Sequence, residues 1–460
     1  MPLRSTPRVA LIVLALGACL AGSAAGVDAA QTGVNVAPTS GDYFVSPSVH
    51  RAIERLHPAW VRVFMGWNAL ESAPGVYNTA ILRNYHAFFA SLPRGTRVDL
   101  DLEGTPAWAS GSTDIATPPR DPGSFAAFAR FIASTFRGQV SAYEIGDEED
   151  TPSGWHGSVA QFAALLHAAY PAIKAVDPTA QVIAGGLAGN DYQYLQALYG
   201  AGGGGAFDAV AVHTDDACNV TSPTVFAFDR GTQTINRYYF LGFTSVHAVM
   251  AAHGDGAKPI MMSEIGWSST SAQCQTGAWA GRKAAGVPPA TQAAFLEQAY
   301  RCLAEPRFGY VEAALWFGLF DNAVGPAMND NYGLLTHELT SKPAYGAFLS
   351  VSRHPHRLRA GCGSLAGPAL KVISPSPGQR YGRALLVKVV ARARGVPIAS
   401  IELRAGGRRI LSFHGGAATT RGAIRWHGAR RLPAGRQTIT LVARAVNGTA
   451  TRKRISVVHR

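Results

Sequence analysis

Eight apolar runs of strand length recur along the chain, at 32–37, 60–65, 97–104, 140–146, 180–186, 207–213, 259–266 and 312–320. The segments between them, among them PGSFAAFARFIASTF, SVAQFAALLHAAYPAIKAV and ATQAAFLEQAYRCLAE, repeat apolar residues at three- and four-residue spacing, the period of a helix buried on one face. Strand alternating with helix predicts a parallel sheet, and eight such units over roughly 320 residues predict a closed (β/α)8 TIM barrel, with KPAYGAFLSVSR as its last helix. The barrel is expected over 31–353.

Beyond it the pattern changes. A linker of small residues, Gly and Pro covers 354–367, and from 368 to 460 the helical period disappears. Short alternating runs follow instead (ALKVI, LLVKVVA, SIELRAGGRRIL, AIRWH, QTITLVARAV), broken by turn signals such as PSPG, AGG and PAG. This predicts a small all-β sandwich of immunoglobulin-like type.

Composition adds three things. The first 30 residues, with Arg4 and Arg8 ahead of VALIVLALGACL and small residues after it, describe an export signal, so a secreted or envelope-associated protein is expected. The apolar run falls short of the about 20 residues that span a bilayer, so no transmembrane segment is expected. Leu16 to Cys19 resembles a lipobox, which makes lipid anchoring at Cys19 a minor alternative. Cys218, Cys274, Cys302 and Cys362 then remain, an even number that reads as two disulfides, Cys218 with Cys274 and Cys302 with Cys362. No CxxC or HxxxH spacing supports a metal site, and the chemistry inferred below needs neither metal nor cofactor. Finally, residues 361–460 hold 19 Lys and Arg against the single acid Glu402. Such a surface attracts polyanions, which for an exported chain means cell-envelope polymers, acidic exopolysaccharide or lipid headgroups; no motif supports nucleic acid. A monomer is expected.

Chemistry concentrates where the predicted strands end. In a parallel barrel all C-terminal strand ends meet on one face. That face should gather Arg62 from strand two, Trp108 after strand three, Asp147 and Glu148 from strand four, His213 from strand six, Glu264 from strand seven and Trp316 from strand eight. Two convergent glutamates are the minimum apparatus for breaking a glycosidic bond, one to protonate the leaving oxygen and one to attack or shield the anomeric carbon. Each residue also has a structural reading: Arg62 as the partner of a buried barrel acid, His213 as a satisfied buried histidine, the tryptophans as core aromatics. Trp67 and Glu71 read as stabilisers of the loop after strand two.

The stretches WVRVFMGWNALESAPGVY, GTPAWAS, YEIGDEE, AAYPAIKAVDPTAQVIAGGLAG, FDAVAVH, SEIGW, LWFGLFD and YGLLTHELTSKPAYGAF resemble the retaining glycoside hydrolases of the large (β/α)8 clan. The likeness is in particular to bacterial family 39-like and cellulase-like exopolysaccharide hydrolases, over about residues 32–350. The resemblance implies Glu148 as acid/base and Glu264 as nucleophile on a polysaccharide, with Arg62 holding the nucleophile ionised, Trp108 and Trp316 as sugar-stacking faces and His213 orienting a carboxylate or hydroxyl. Two positions depart from the family pattern. Asp147 stands where the family has asparagine, and Asp215 where it has tyrosine. With Glu149, Asp150 and Asp216 they form an acidic cleft mouth, whose mutual repulsion should raise carboxyl pKa values. An acidic pH optimum, a positively charged substrate or loss of turnover would each follow. The rival reading is a catalytically silent carbohydrate-binding barrel.

Overall fold

The computed structural model describes residues 29–36, 44–214, 218, 220–229, 232, 234–275, 279–325, 327–355, 358–362, 367–393, 397–415, 417–445 and 449–460. The export segment, Cys19, Asp215 and Asp216 lie outside them.

The apolar runs form eight strands, Gln31–Asn35, Trp60–Gly66, Arg97–Glu103, Ala142–Asp147, Gln181–Leu187, Ala209–His213, Ile260–Ile265 and Val311–Trp316, here strands one to eight. Each pairs in parallel with its neighbours, and strand eight pairs with strand one, so the sheet closes. Helices lie between strands, among them Pro122–Thr135, Val159–Lys174 and Pro289–Leu303. The second starts on a capping box in which Ser158 and Gln161 satisfy each other's backbone amides. Side chains that alternate outward pack under these helices in one continuous core, while Trp60, Ala142, Ile183, Ala209, Ala211, Met261, Ala313 and Leu315 form a separate apolar layer inside the barrel. Above that layer the interior turns ionic, because Asp99, Asp101 and Glu103 alternate along strand three and share its inward face.

Two disulfides brace the barrel. Cys218–Cys274 joins the segments that follow strands six and seven, and Cys302–Cys362 ties the helix Pro289–Leu303 to the chain beyond the last helix, Pro343–Arg353.

From Ala369 onward all strands pair into two sheets. Three strands (Ala369–Ser374, Leu385–Arg392, Thr419–Trp426) make one; five (Gln379–Tyr381, Ile398–Ala405, Arg408–His414, Gly435–Ala445, Ala450–His459) make the other. Leu385, Val387, Val389, Ile401, Leu403, Ile439, Leu441 and Val457 belong to the shared core. Among the described residues no helix is long and apolar enough to cross a membrane.

Candidate active site

Arg62 is the hub of the barrel's upper interior. It is fully buried, and its guanidinium reaches four carboxylates: Glu144 through Nε at 3.0 Å and Nη2 at 3.1 Å, Asp101 at 2.9 Å, Asp147 at 2.7 Å and Glu264 at 2.6 Å. Nη1 also donates to Asn35 Oδ1 at 3.2 Å, and Asn35 in turn donates to the Ser263 carbonyl at 2.7 Å. A guanidinium suits this role because its five donors lie in one rigid fork. Burial alone would lower its pKa, but Glu144, Asp101, Asp147 and Glu264, in that order, raise it well above the usual arginine value. Pairing with buried barrel acids and contact with the strand-seven glutamate, set against each other as alternatives by the sequence, are both present.

His213 joins the two glutamates. Its Nδ1 is 3.0 Å from Glu148 Oε1 and 3.6 Å from Glu264 Oε2, and its Nε2 is 3.7 Å from Asp147 Oδ1. The carboxylate oxygens of strands four and seven therefore lie within the combined reach of 3.0 and 3.6 Å of each other, across one ring nitrogen. Burial works against a charged ring, yet Glu264, the hydrogen bond to Glu148, Asp147 and the charge of Glu148 raise the pKa well above the histidine range, which favours the charged ring. It donates to Glu148 through Nδ1. Gly186 makes room for it: a Cβ at that position would lie 2.0 Å from His213 Nε2.

The carboxylates around this pair outnumber the cations. Burial, and next the charge of Glu144, push the Asp99 carboxyl well above its ordinary range, Arg62 only partly opposing them. Neither Asp99 oxygen meets a donor, and a proton on Asp99 donated to Glu144 resolves that. Burial likewise raises Asp101 and Glu149 and carries Glu103 to about 7, Asp147 adding to the rise in Glu103. Asp150 is raised to about 6, burial again leading. These groups keep protons in the folded chain over a range where the unfolded chain has released them, so stability falls as pH rises from about 4 through the values of Asp150 and Glu103. His213 acts in the same direction, since a raised basicity contributes below the ordinary histidine value and is lost as pH climbs through the raised one. The melting temperature should accordingly be several degrees higher at pH 5 than at pH 8, as calorimetry would show; a flat or rising profile contradicts the protonation pattern.

The site opens into a cavity of about 140 Å³ on the side of strands three and four. Glu148 reaches solvent with 34 % of its side chain and Asp147 with 25 %, whereas Glu264 keeps 7 %. The tryptophans are placed differently from the sequence expectation. Trp316 is fully buried, donates from Nε1 to the Tyr332 carbonyl at 2.9 Å and packs near Trp267, so it offers no face for stacking. The chain around Tyr332 folds over the end of strand eight and covers it. Trp108 is half-buried, donates to the Glu71 carbonyl at 2.9 Å and meets Trp67 edge-on at 5.6 Å; it supports the loop after strand two and does not line the cavity. Trp155 lines it instead, from a loop that carries no periodic signal. Asn35, Asp101, Glu103 and Glu144 were not singled out by sequence, although the acids at 99, 101 and 103 alternate on a face that should be apolar.

A closed eight-stranded parallel barrel with acids at the ends of strands four and seven has the fold of the (β/α)8 glycoside hydrolases. Among solved structures it is similar to a family 39 glycoside hydrolase from Bacteroides cellulosilyticus WH2, with a TM-score of 0.56 at 16 % identity over 87 % of this chain and 81 % of that one. A family 5 enzyme from Streptomyces cattleya, solved in complex with GlcNAc, gives 0.52 at 16 % identity over 77 % and 85 %. A monomeric β-xylosidase from Caulobacter crescentus CB15 gives 0.51 at 13 % over 87 % and 96 %. The likeness is one of fold. No family model matches the chain, and no curated protein does.

Proposed function

We propose that the protein is an exported retaining glycoside hydrolase that cleaves a polysaccharide with Glu264 as nucleophile and Glu148 as acid/base. The observation that carries this reading is the meeting of both carboxylates at His213 Nδ1, at 3.0 and 3.6 Å. Retaining enzymes hold their carboxyl groups about 5 to 5.5 Å apart, whereas inverting ones leave about 6.5 to 9.5 Å for a water. Arg62 supplies a permanent positive charge at Glu264, which favours the ionised form a nucleophile needs. In the first step Glu264 attacks the anomeric carbon, the bond to the leaving oxygen breaks, and Glu148 gives that oxygen its proton. In the second, Glu148 takes a proton from water as the water displaces Glu264 from the sugar. His213, hydrogen-bonded to Glu148 at 3.0 Å, holds that carboxyl in position through both steps.

A panel of polysaccharides assayed for new reducing ends tests the reading. Wild-type protein should cleave at least one, and Glu148→Gln should lose roughly 10²- to 10⁴-fold, the usual worth of a general acid. The loss should be smaller on aryl glycosides whose leaving group needs no proton. No cleavage of any member, alongside tight binding of one, would favour the silent carbohydrate-binding barrel.

We further propose that the C-terminal β region, read as an immunoglobulin-like sandwich, holds an anionic cell-envelope polymer. Lys371, Lys388, Arg392, Arg421 and Arg425 are exposed on the three-stranded sheet, and Arg436, Arg452 and Arg454 on the five-stranded one. The one acid, Glu402, faces Arg404 at 3.0 Å and Arg444 at 3.6 Å. Cations on both faces suit a flexible polyanion, which can touch two sides, better than a flat lipid surface, which meets one. Retention of the full chain on an acidic polysaccharide should weaken at least about tenfold between low salt and about 0.3 M, as exposed charges are screened. It should also weaken in the double variant Arg452→Glu, Arg454→Glu. Binding indifferent to salt contradicts it.

A further inference from the structure

The cavity beside the two glutamates has an unusual lining. Glu103, Asp147, Glu148 and Glu149 face it, and among the described residues no Lys, Arg or His does. Arg62 and His213 stand behind Asp147, on the barrel side. The remaining wall includes Trp155 and Ile115, apolar enough for the C–H face of a sugar ring.

One of the surrounding acids lacks a partner that its burial would demand. Asp101 is fully buried, and its Oδ1 has no hydrogen bond. Its carboxylate, with those of Glu103 and Asp147, places one oxygen each within 4.8 Å of the others. Glu149 is only 7 % exposed and lines the cavity. Its carboxylate accepts from its own backbone amide and is slotted against Gly146 and Gly185, where a Cβ would lie 1.4 and 2.2 Å from its oxygens. Buried polar atoms are normally satisfied, so the open Oδ1 of Asp101, in a carboxylate grouped with the cavity-lining Glu103 and Asp147, points to a ligand that supplies the donors.

We propose that this cavity is a subsite for a saccharide carrying a protonated amino group, whose ammonium is held by Glu103, Asp147 and Glu148 with Glu149 behind them. The inference rests on the hydrolase reading for the statement that a saccharide enters the cleft, and adds the charge of that saccharide. An ammonium brings three donors and a positive charge that favours the ionised form of Glu103, whose proton burial otherwise holds to about pH 7; charge-assisted bonds of this kind are roughly twice as strong as neutral ones. A bare divalent ion fits less well. Asp101 and Asp147 already share Arg62 Nη2, at 2.9 and 2.7 Å, and would hold the metal against a guanidinium. The substitution of Asp147 for the amide expected at this position gains a reason: an amide presents one acceptor and a donor that would repel an ammonium, a carboxylate presents acceptors only.

Calorimetric titration of the full chain as Glu264→Gln, which should bind without cleaving, tests this directly. The probes are β-1,4-linked tetramers of glucosamine and of galactosamine, their N-acetylated forms and the uncharged glucose and galactose tetramers, at low and high salt, with calcium chloride as a separate titrant. At least one amine should bind tenfold or more tighter than its acetylated and uncharged counterparts. That preference should shrink about tenfold in high salt and in either Glu103→Gln or Asp147→Asn, two variants chosen so that one misfolded protein does not decide the matter. Equal or weaker binding of every amine, or tight calcium binding without any preference among sugars, overturns the proposal. The two readings fail separately. Cleavage of a neutral polymer with no preference for amines removes the subsite alone, while tight amine binding without cleavage of any glycoside removes the hydrolase alone.

Discussion

Arg62→Met should lower the stability of the whole barrel by about 3 to 5 kcal/mol, the range measured when one partner of a buried ion pair is removed. Four carboxylates lose their shared cation at once, and Asp101, Glu144 and Glu264 have little or no access to water that could take over. With total stabilities of about 5 to 15 kcal/mol, such a loss approaches the limit of folding. The dependence on pH separates this cause from a simple packing defect. As pH falls toward the carboxyl range the orphaned acids take up protons, so the melting temperature of Arg62→Met should approach that of the wild type at pH 5 and fall away from it at pH 8. A deficit constant across that range would mean that shape rather than charge is what Arg62 supplies. Arg62→Lys should lie between the two, since one ammonium cannot serve the four acids that the fork reaches.

Glu264→Gln should abolish turnover, by roughly 10⁴-fold or more, because groups that act as a unit in covalent catalysis fail together when the nucleophile is removed. Stability should change far less than in Arg62→Met, because the amide oxygen of glutamine can still accept from Arg62 Nη1. This gives the two variants opposite signatures: one loses the fold and with it the activity, the other keeps the fold and loses the chemistry. A Glu264→Gln protein with near-normal rates would move the reaction to another acid of the cluster, and Glu103, raised to about 7 and facing the cavity, would be the next to test.

Much of this was legible along the chain, for physical reasons that also explain the rest. Most of the eight barrel strands were readable because both faces are buried, the outer under helices and the inner in the barrel interior, which keeps their runs apolar. The last run was read through residue 320 although strand eight stops at Trp316, since 317–320 stays apolar while turning toward a bridge between Phe320 and Leu335. In the β region the strand Ala450–His459 was missed because TRKR occupies its first half, where both alternate positions carry charge, and Gln379–Tyr381 is too short to show a period. Asp147, Glu148, His213 and Glu264 were singled out as strand-end residues and the structure brings them together, whereas Arg62 is the third residue of strand two, Trp60–Gly66, and reaches them through its long side chain. Glu149 was grouped with the cleft mouth, but its burial depends on two glycines in neighbouring strands. The fate of Trp316 depends on Tyr332, sixteen residues away, and no local pattern signals that contact.

The most direct measurement is intact-protein and peptide mass spectrometry after incubation with a 2-deoxy-2-fluoroglycosyl fluoride of whichever sugar the panel identifies. A fluorine at C2 slows release of the glycosyl-enzyme more than its formation, so a retaining enzyme accumulates the adduct. The expected result is one glycosyl group on the peptide containing Glu264, absent from Glu264→Gln. Attachment at Glu148 or elsewhere, or continued turnover of natural polymer with no adduct and inverted anomeric configuration in the product, would contradict a nucleophile at the end of strand seven.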